Sequence, residues 1–232
     1  CGVMAYAGRR ACRHSARAKL ADVIRLPHYD ATVRELQRTR DGSLSVLSAG
    51  PWHLPLTVQA GQHGESPIVI VNDTGRHVPP PLPIEQAGAR YFVDILGVGE
   101  CRSTPIQRSM LDTVAQRYLG IQVAQVLAIA RFAARQEKTR TVHLIGTGWN
   151  SCFVLLMAAA LEPGLFATYT DYNPVKTLRY IVEWPMNFND AQSFLCFGLL
   201  EVADVPQVRE LMEGVAYRNP GRSVPPDTKP EA

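Results

Sequence analysis

The sequence predicts an α/β protein on a mostly parallel central sheet, and three observations predict it. Short β-branched runs (Ser66 to Val71, Tyr91 to Ile95, Thr141 to Ile145, Leu165 to Thr170) alternate with long helical stretches. The run Ser66 to Val71 (SPIVIV) is continuously apolar after its proline, the pattern of a strand buried on both faces. Its 232 residues are 46% hydrophobic and 19% charged, a globular profile that closes a core without disulfide or metal staples.

The elements follow in chain order. Residues 1–40 carry nine Lys+Arg against three Asp+Glu, or +6, while the whole chain is +3, so the rest is −3. Ala18, Leu20, Val23 and Ile24, then Val33 and Leu36, recur at helical spacing around Pro27 and predict a basic helical or partly ordered lead-in over 1–40. Its cations (Arg9, Arg10, Arg13, Arg17, Lys19) have no interleaved aromatics for base stacking, so no nucleic acid partner is expected. Ser43 to Ser48 and Leu54 to Val58 flank the turn Gly50-Pro51 and predict a hairpin.

SPIVIV runs into the polar turn Asn72-Asp73-Thr74-Gly75-Arg76 and a loop containing Pro79, Pro80, Pro81 and Pro83. Tyr91 to Ile95 leads into Gly97-Val98-Gly99-Glu100, followed by a helical stretch from Ile106 to Gln136 with an expected break at Gly120. After Thr141 to Ile145, the turn Gly146-Thr147-Gly148 opens an apolar helix from Trp149 to Leu161, stopped by Pro163-Gly164. Leu165 to Thr170 ends in Asp171, and Val215 to Tyr217 suggests one more strand. The expected domain covers 41–219, and a disordered Pro-rich tail covers 220–232.

Two function classes are excluded. The longest apolar run, Phe153 to Leu161, falls far short of the ~20 residues of a membrane span. The five cysteines (Cys1, Cys12, Cys101, Cys152, Cys196) are scattered without a CxxC, so neither a zinc site nor a disulfide framework is signalled, and no metal or cofactor is expected. The Cys1-Gly2 start fits a processed lipoprotein as well as a chain that has lost its leader, which leaves secreted and cytoplasmic locations open.

Ligands of open α/β sheets bind beyond the carboxyl ends of the strands, which selects the loops Asn72 to Arg76, Gly97 to Arg102 and Gly146 to Ser151. Gly146-x-Gly148-x-x-Ser151, with Asp171 ending the next strand, approximates a dinucleotide fingerprint. A nucleotide- or S-adenosylmethionine-binding enzyme is therefore one reading. Its weakness is position, because that fingerprint normally opens a sheet and here at least three strand-like runs precede it.

The other reading is a nucleophile elbow, Gly-x-Ser-x-Gly, with Gly148 at the nucleophile position. Six segments accompany it in order: PWHLPLTV, SPIVIVNDTGR, DILGVGECRS, YLGIQVAQVLAIARFAARQ, VHLIGTGW and LLMAAALEP…ATYTD. Together they resemble the α/β-hydrolase fold from Trp52 to Asn219, and more narrowly the acetyl xylan esterase-like and dipeptidyl-peptidase-like hydrolases. The resemblance implies a three-layer domain, shortened at its carboxyl end, and hydrolysis of a carbohydrate ester or other small carboxylic ester by acyl transfer. It also implies backbone oxyanion donors near Thr74 and Trp149.

The departures carry as much weight. Leu96 replaces the family's loop arginine, Gly148 replaces its serine, and no histidine follows His143. In this fold the triad runs Ser, Asp/Glu, His in chain order, so a degenerate member, a pseudoenzyme with little or no activity, is expected. Ser151 and Cys152 are weighed as displaced nucleophiles and Asp171 as an acid. Against them stand a helix-start serine, a buried thiol and an ordinary Asp171-Tyr172-Asn173-Pro174 turn. His77 is a surface-loop histidine that could face the cleft, and His143 reads as a strand residue. Trp149, Tyr172 and Trp184 are expected to pack in the core or line a cleft.

Overall fold

The computed structural model describes residues 2–40, 42–80, 87–183 and 193–220. Helix α1 (Gly2–Val23) leads into three strands, β1 (Ala31–Thr39), β2 (Gly42–Ala49) and β3 (Trp52–Gln59), joined as antiparallel hairpins. The expected lead-in is thus only half helical. Val33 and Leu36 lie on β1, which pairs with β2 except for a bulge at Leu36 and forms the edge of the main sheet. A hydrogen-bonded neighbour decides such a segment over the weak local helical spacing.

β4 (Ile68–Asn72) and β5 (Arg90–Val93) follow, then helices α2 (Pro105–Thr113) and α3 (Tyr118–Gln136), β6 (Val142–Thr147), α4 (Trp149–Leu161) and β7 (Phe166–Asp171). Short helices α5 (Tyr180–Glu183), α6 (Leu199–Val202) and α7 (Val205–Glu210) precede β8 (Ala216–Arg218). The eight strands form one sheet in the order β1-β2-β3-β5-β4-β6-β7-β8, antiparallel through β5 and parallel from β5 to β8. The β-branched run Thr141 to Ile145 forms β6 from Val142 on, an interior strand between β4 and β7.

Alternation sorts the strand residues between the two faces. Val69, Val71, Val93 and Leu144 join α3 and α4 in the main core, whereas Ile68, Ile70, Phe92 and Ile145 form a smaller cluster with Tyr172. All of β4 is buried, its apolar run from Ile68 to Val71 on both faces and Asn72 at its end. α4 is buried from Ser151 to Ala160, which explains why its sequence has no polar stripe.

The expected helix break at Gly120 is displaced. The chain turns at residues 114–117, where Ala115 has φ +60°, and Gly120 lies inside α3. A Cβ there would meet the Ile24 carbonyl oxygen at 2.0 Å, so this glycine permits close backbone approach to the end of α1. α1 is tied down by Arg17, which donates to the carbonyls of Ala160 at 3.0 Å and Leu211 at 2.7 Å. Ala160 O lies in the last turn of α4, where carbonyls lack helical partners. The expected disordered tail, 220–232, and Trp184, Pro81 and Pro83 lie outside the described residues, apart from Pro220 at the tail's start.

Candidate functional site

Three loops meet at the carboxyl ends of β4, β5 and β6. Beyond β4, the Asp73 N–H donates to Thr147 O at 3.0 Å, which extends the pairing with β6 and aims the Asp73 side chain across to the start of α4. There Asp73 Oδ1 accepts from Ser151 N at 2.7 Å and Ser151 Oγ at 2.5 Å, and Oδ2 accepts from Asn150 N at 3.1 Å. A carboxylate on the first-turn N–H groups is the favoured partner of a helix amino terminus. Burial pushes the Asp73 carboxyl above its ordinary range, opposed by the hydrogen bonds from Ser151 and Asn150.

Gly148 turns the chain from β6 into α4 at φ +88°, and its N–H donates to Asn173 Oδ1 at 3.0 Å. A Cβ on Gly148 would lie 2.3 Å from Asp73 Cγ and 2.4 Å from Oδ2. The volume that a nucleophile side chain would occupy is already filled by the Asp73 carboxylate.

Beyond β5, Asp94 is fully buried and anchors its loop. It accepts from Arg76 N at 2.7 Å, Arg76 Nη1 at 2.8 Å and Glu100 N at 3.1 Å, and Gly99 packs so closely that a Cβ would reach its carboxylate at 2.5 Å. Arg76 also pairs with Glu100 at 3.0 Å, and Glu100 lies 3.0 Å from the exposed His77 ring. From below, α3 fixes Leu96 through Gln125 Oε1 and Gln122 Nε2, which bond its N–H and carbonyl at 2.9 and 2.8 Å.

These loops border a polar hollow of about 530 Å³, lined by Asp73, Arg102, Arg108, Gln122, Trp149 and Ser193 among others. Arg108 also lines an apolar hollow of about 390 Å³ walled by Leu178, Ile181, Phe194, Phe197 and Leu199. A third hollow, of about 390 Å³, shares Arg102 and Ser103 with the first.

The residues singled out from sequence fall into different places. Gly148 stands at the elbow without a side chain, and Trp149 lines the polar hollow. Ser151 is fully buried and spends its hydroxyl on Asp73, so it offers no exposed nucleophile. Cys152 is buried, and burial followed by the neighbouring Asp171 drives its thiol well above the ordinary range, the reverse of helix-dipole activation.

Asp171 turns inward rather than toward the cleft. It is 3% exposed, accepts from Asn173 N at 3.1 Å and lies 2.9 Å from the Tyr169 hydroxyl, whose other neighbour is Cys152 O at 2.6 Å. Thr74 N and Oγ1 both donate to Asn72 Oδ1, at 3.1 and 2.9 Å, and this leaves no Thr74 N–H for an oxyanion. His143 is half-buried against Thr168 Oγ1 at 2.8 Å, and burial lowers its pKa.

Asp73, Arg102 and Arg108 are the residues that sequence reasoning missed. The signal for Asp73 was its place directly after a strand that pairs beside the elbow strand. The same geometry disfavours the dinucleotide reading. Asp73 already places a negative charge on the α4 amino terminus where a pyrophosphate would bind, and the ribose-binding candidate Asp171 is buried and hydrogen-bonded to Tyr169 and Asn173. Among the described residues, no group of three His, Cys, Asp or Glu could hold a metal ion, and no helix is long and apolar enough to cross a membrane.

No family model and no curated protein matches the sequence. Among solved structures, the chain is similar to a candidate acetyl xylan esterase from Bacteroides fragilis, with TM-score 0.63 and 9% identity over 90% of this chain and 74% of that one. A candidate lipase from Sulfolobus solfataricus aligns at TM-score 0.44 and 12% identity, over 66% of this chain and 51% of that one. Dienelactone hydrolase from Anabaena variabilis aligns at 0.45 and 11%, over 83% and 87%. The last two likenesses are too distant to carry weight. The first, with the sheet order above, places the chain in the α/β-hydrolase-like three-layer class, the fold that the sequence resemblance implied. At 9% identity this likeness defines the fold and leaves the chemistry to the site.

Proposed function

We propose that this chain is a degenerate carboxylic ester hydrolase, related to carbohydrate-ester esterases, that keeps a cleft for a small ester or acyl ligand and has little or no hydrolytic turnover. The observation that carries the reading is the Asp73 carboxylate standing 2.3 Å from where a Gly148 Cβ would be. An elbow nucleophile needs a hydroxyl or thiol at that point and a base to take its proton. Here the point holds an acceptor already bonded to the helix it caps. Neither Ser151 nor Cys152 replaces it, since both are buried. The cleft itself is retained, with Trp149 and a polar lining beside apolar walls, which is how ligand sites on this kind of sheet are built.

The test is hydrolysis of an aryl acetate by the wild type, Ser151→Ala, Cys152→Ala and Gly148→Ser. Background rates in all four are expected. Saturable turnover in the wild type that disappears in Ser151→Ala or Cys152→Ala would refute the reading.

A further inference from the structure

The geometry points to one ligand class for the cleft, and we propose that it is a medium-chain carboxylate, bound head-first in the polar hollow with its tail in the apolar one. This deepens the reading of the cleft as a binding site and rests on it. The charge of the polar hollow comes first. Among its described lining residues, Arg102 and Arg108 stand against one carboxylate, Asp73, whose oxygens already accept three hydrogen bonds from the start of α4. Arg102 has no ion-pair partner among the described residues, and Arg108 is held in place by Ser103 at its Nε and Nη2. A buried guanidinium held in place, Arg108, with the exposed Arg102 at the same hollow, favours a planar oxyanion.

The second observation is Ser193. It is 1% exposed, it lines the polar hollow, and its Oγ has no hydrogen-bond partner among the described residues. A buried hydroxyl without a partner is costly, and a carboxylate oxygen would accept its proton. The next residue, Phe194, walls the apolar hollow, so lining changes from polar to apolar across one peptide bond, with Arg108 common to both sides.

The apolar hollow decides against a free phosphate or a neutral sugar, because either would leave it empty. Its mouth exposes Phe197, 73% accessible, and Leu200, 45% accessible, and its one carboxylate among the described lining residues is Glu201. A flexible alkyl tail removes this surface from water, while its carboxylate meets the arginines.

Calorimetric titration of the full chain with decanoate, kept below its micelle concentration, tests the proposal against decanol and butyrate, with Arg102→Glu and Phe197→Asp as exposed variants that spare the core. Saturable binding of one decanoate per chain is expected, with decanol and butyrate weaker by about tenfold or more. Arg102→Glu should weaken decanoate by about tenfold and leave decanol unchanged, the scale of one charge-assisted contact. Phe197→Asp should weaken both. No saturable binding, equal affinity for decanol and decanoate, or decanoate binding indifferent to Arg102→Glu would overturn the proposal. Aryl acetate turnover would refute the inactive-site reading and leave this binding result standing, and failed binding with background hydrolysis would do the reverse.

Discussion

Asp73 and Gly148 share one space at the end of the central strands. The Asp73 carboxylate reaches over from the β4 loop to the α4 amino terminus, and the missing side chain at residue 148 is what lets it in. Gly148→Ser must therefore do two costly things, holding a side chain at φ +88° and displacing a bonded carboxylate. A loss of about 2–5 kcal/mol is expected from left-handed strain together with overpacking. In an Asp73→Ala background the same substitution should cost less, with a coupling energy of about 1–3 kcal/mol. Urea denaturation of the two single variants and the double variant measures it, and strict additivity would mean that the two positions do not compete.

The loop beyond β5 depends on Asp94 in a different way. Its carboxylate is wholly buried and paired with an Arg76 guanidinium that is 5% exposed. Asp94→Ala leaves two backbone N–H groups without their acceptor and leaves Arg76 with only the half-exposed Glu100, and breaking a buried pair from one side costs about 3–5 kcal/mol. The midpoint of chemical denaturation should fall accordingly. A change within the error of wild type would show that the loop is held by other contacts.

Asp171 gives a pH signature of known sign. Burial raises its carboxyl above the ordinary range, against the opposing hydrogen bonds from Cys152, Tyr169 and Asn173. Between its unfolded and folded pKa values the folded state binds more protons, so this group makes stability fall as pH rises through that window. Asp171→Asn keeps an acceptor for Asn173 N and removes the buried charge. The variant should melt higher than wild type at neutral pH, and the gain should shrink as pH drops below the carboxylate range. A variant that melts lower than wild type at neutral pH would mean that the charge is welcome there.

Much of the fold was legible because burial writes itself into composition. β4 carries an unbroken apolar run, Ile68 to Val71, buried on both faces, α4 begins and ends at the Trp149 and Leu161 that its turn signals select, and β6 is an interior strand. β1 was misread because Val33 and Leu36 satisfy helical spacing locally, while the partner that makes them a strand, β2, is set by tertiary pairing. The break at Gly120 was misread because a glycine can serve a close contact as well as a turn, and the contact is with a distant residue, Ile24.

The site was legible in outline only. Gly148 and Trp149 could be placed by the strand-turn-helix pattern. That Asp73, rather than Thr74, governs the neighbouring loop depends on a contact across 78 positions of sequence, from Asp73 to Ser151, which no local pattern encodes. The same holds for Asp171, whose strand-end position fits an acid in a cleft as well as an inward hydrogen bond to the Tyr169 and Asn173 groups. The pairing of Arg102 and Arg108 around one hollow is likewise a product of the fold.

The central claim is that the cleft contains no activated nucleophile, and covalent labelling tests it most directly. A fluorophosphonate modifies serines whose hydroxyl has been made nucleophilic by a positioned base. Incubated with the intact folded chain and followed by peptide mass mapping, it should leave every serine unmodified, Ser151 included, because that hydroxyl is buried and donated to Asp73. A stoichiometric adduct on Ser151, or on Ser103 or Ser193 at the polar hollow, formed by the native protein and lost on denaturation, would contradict the account.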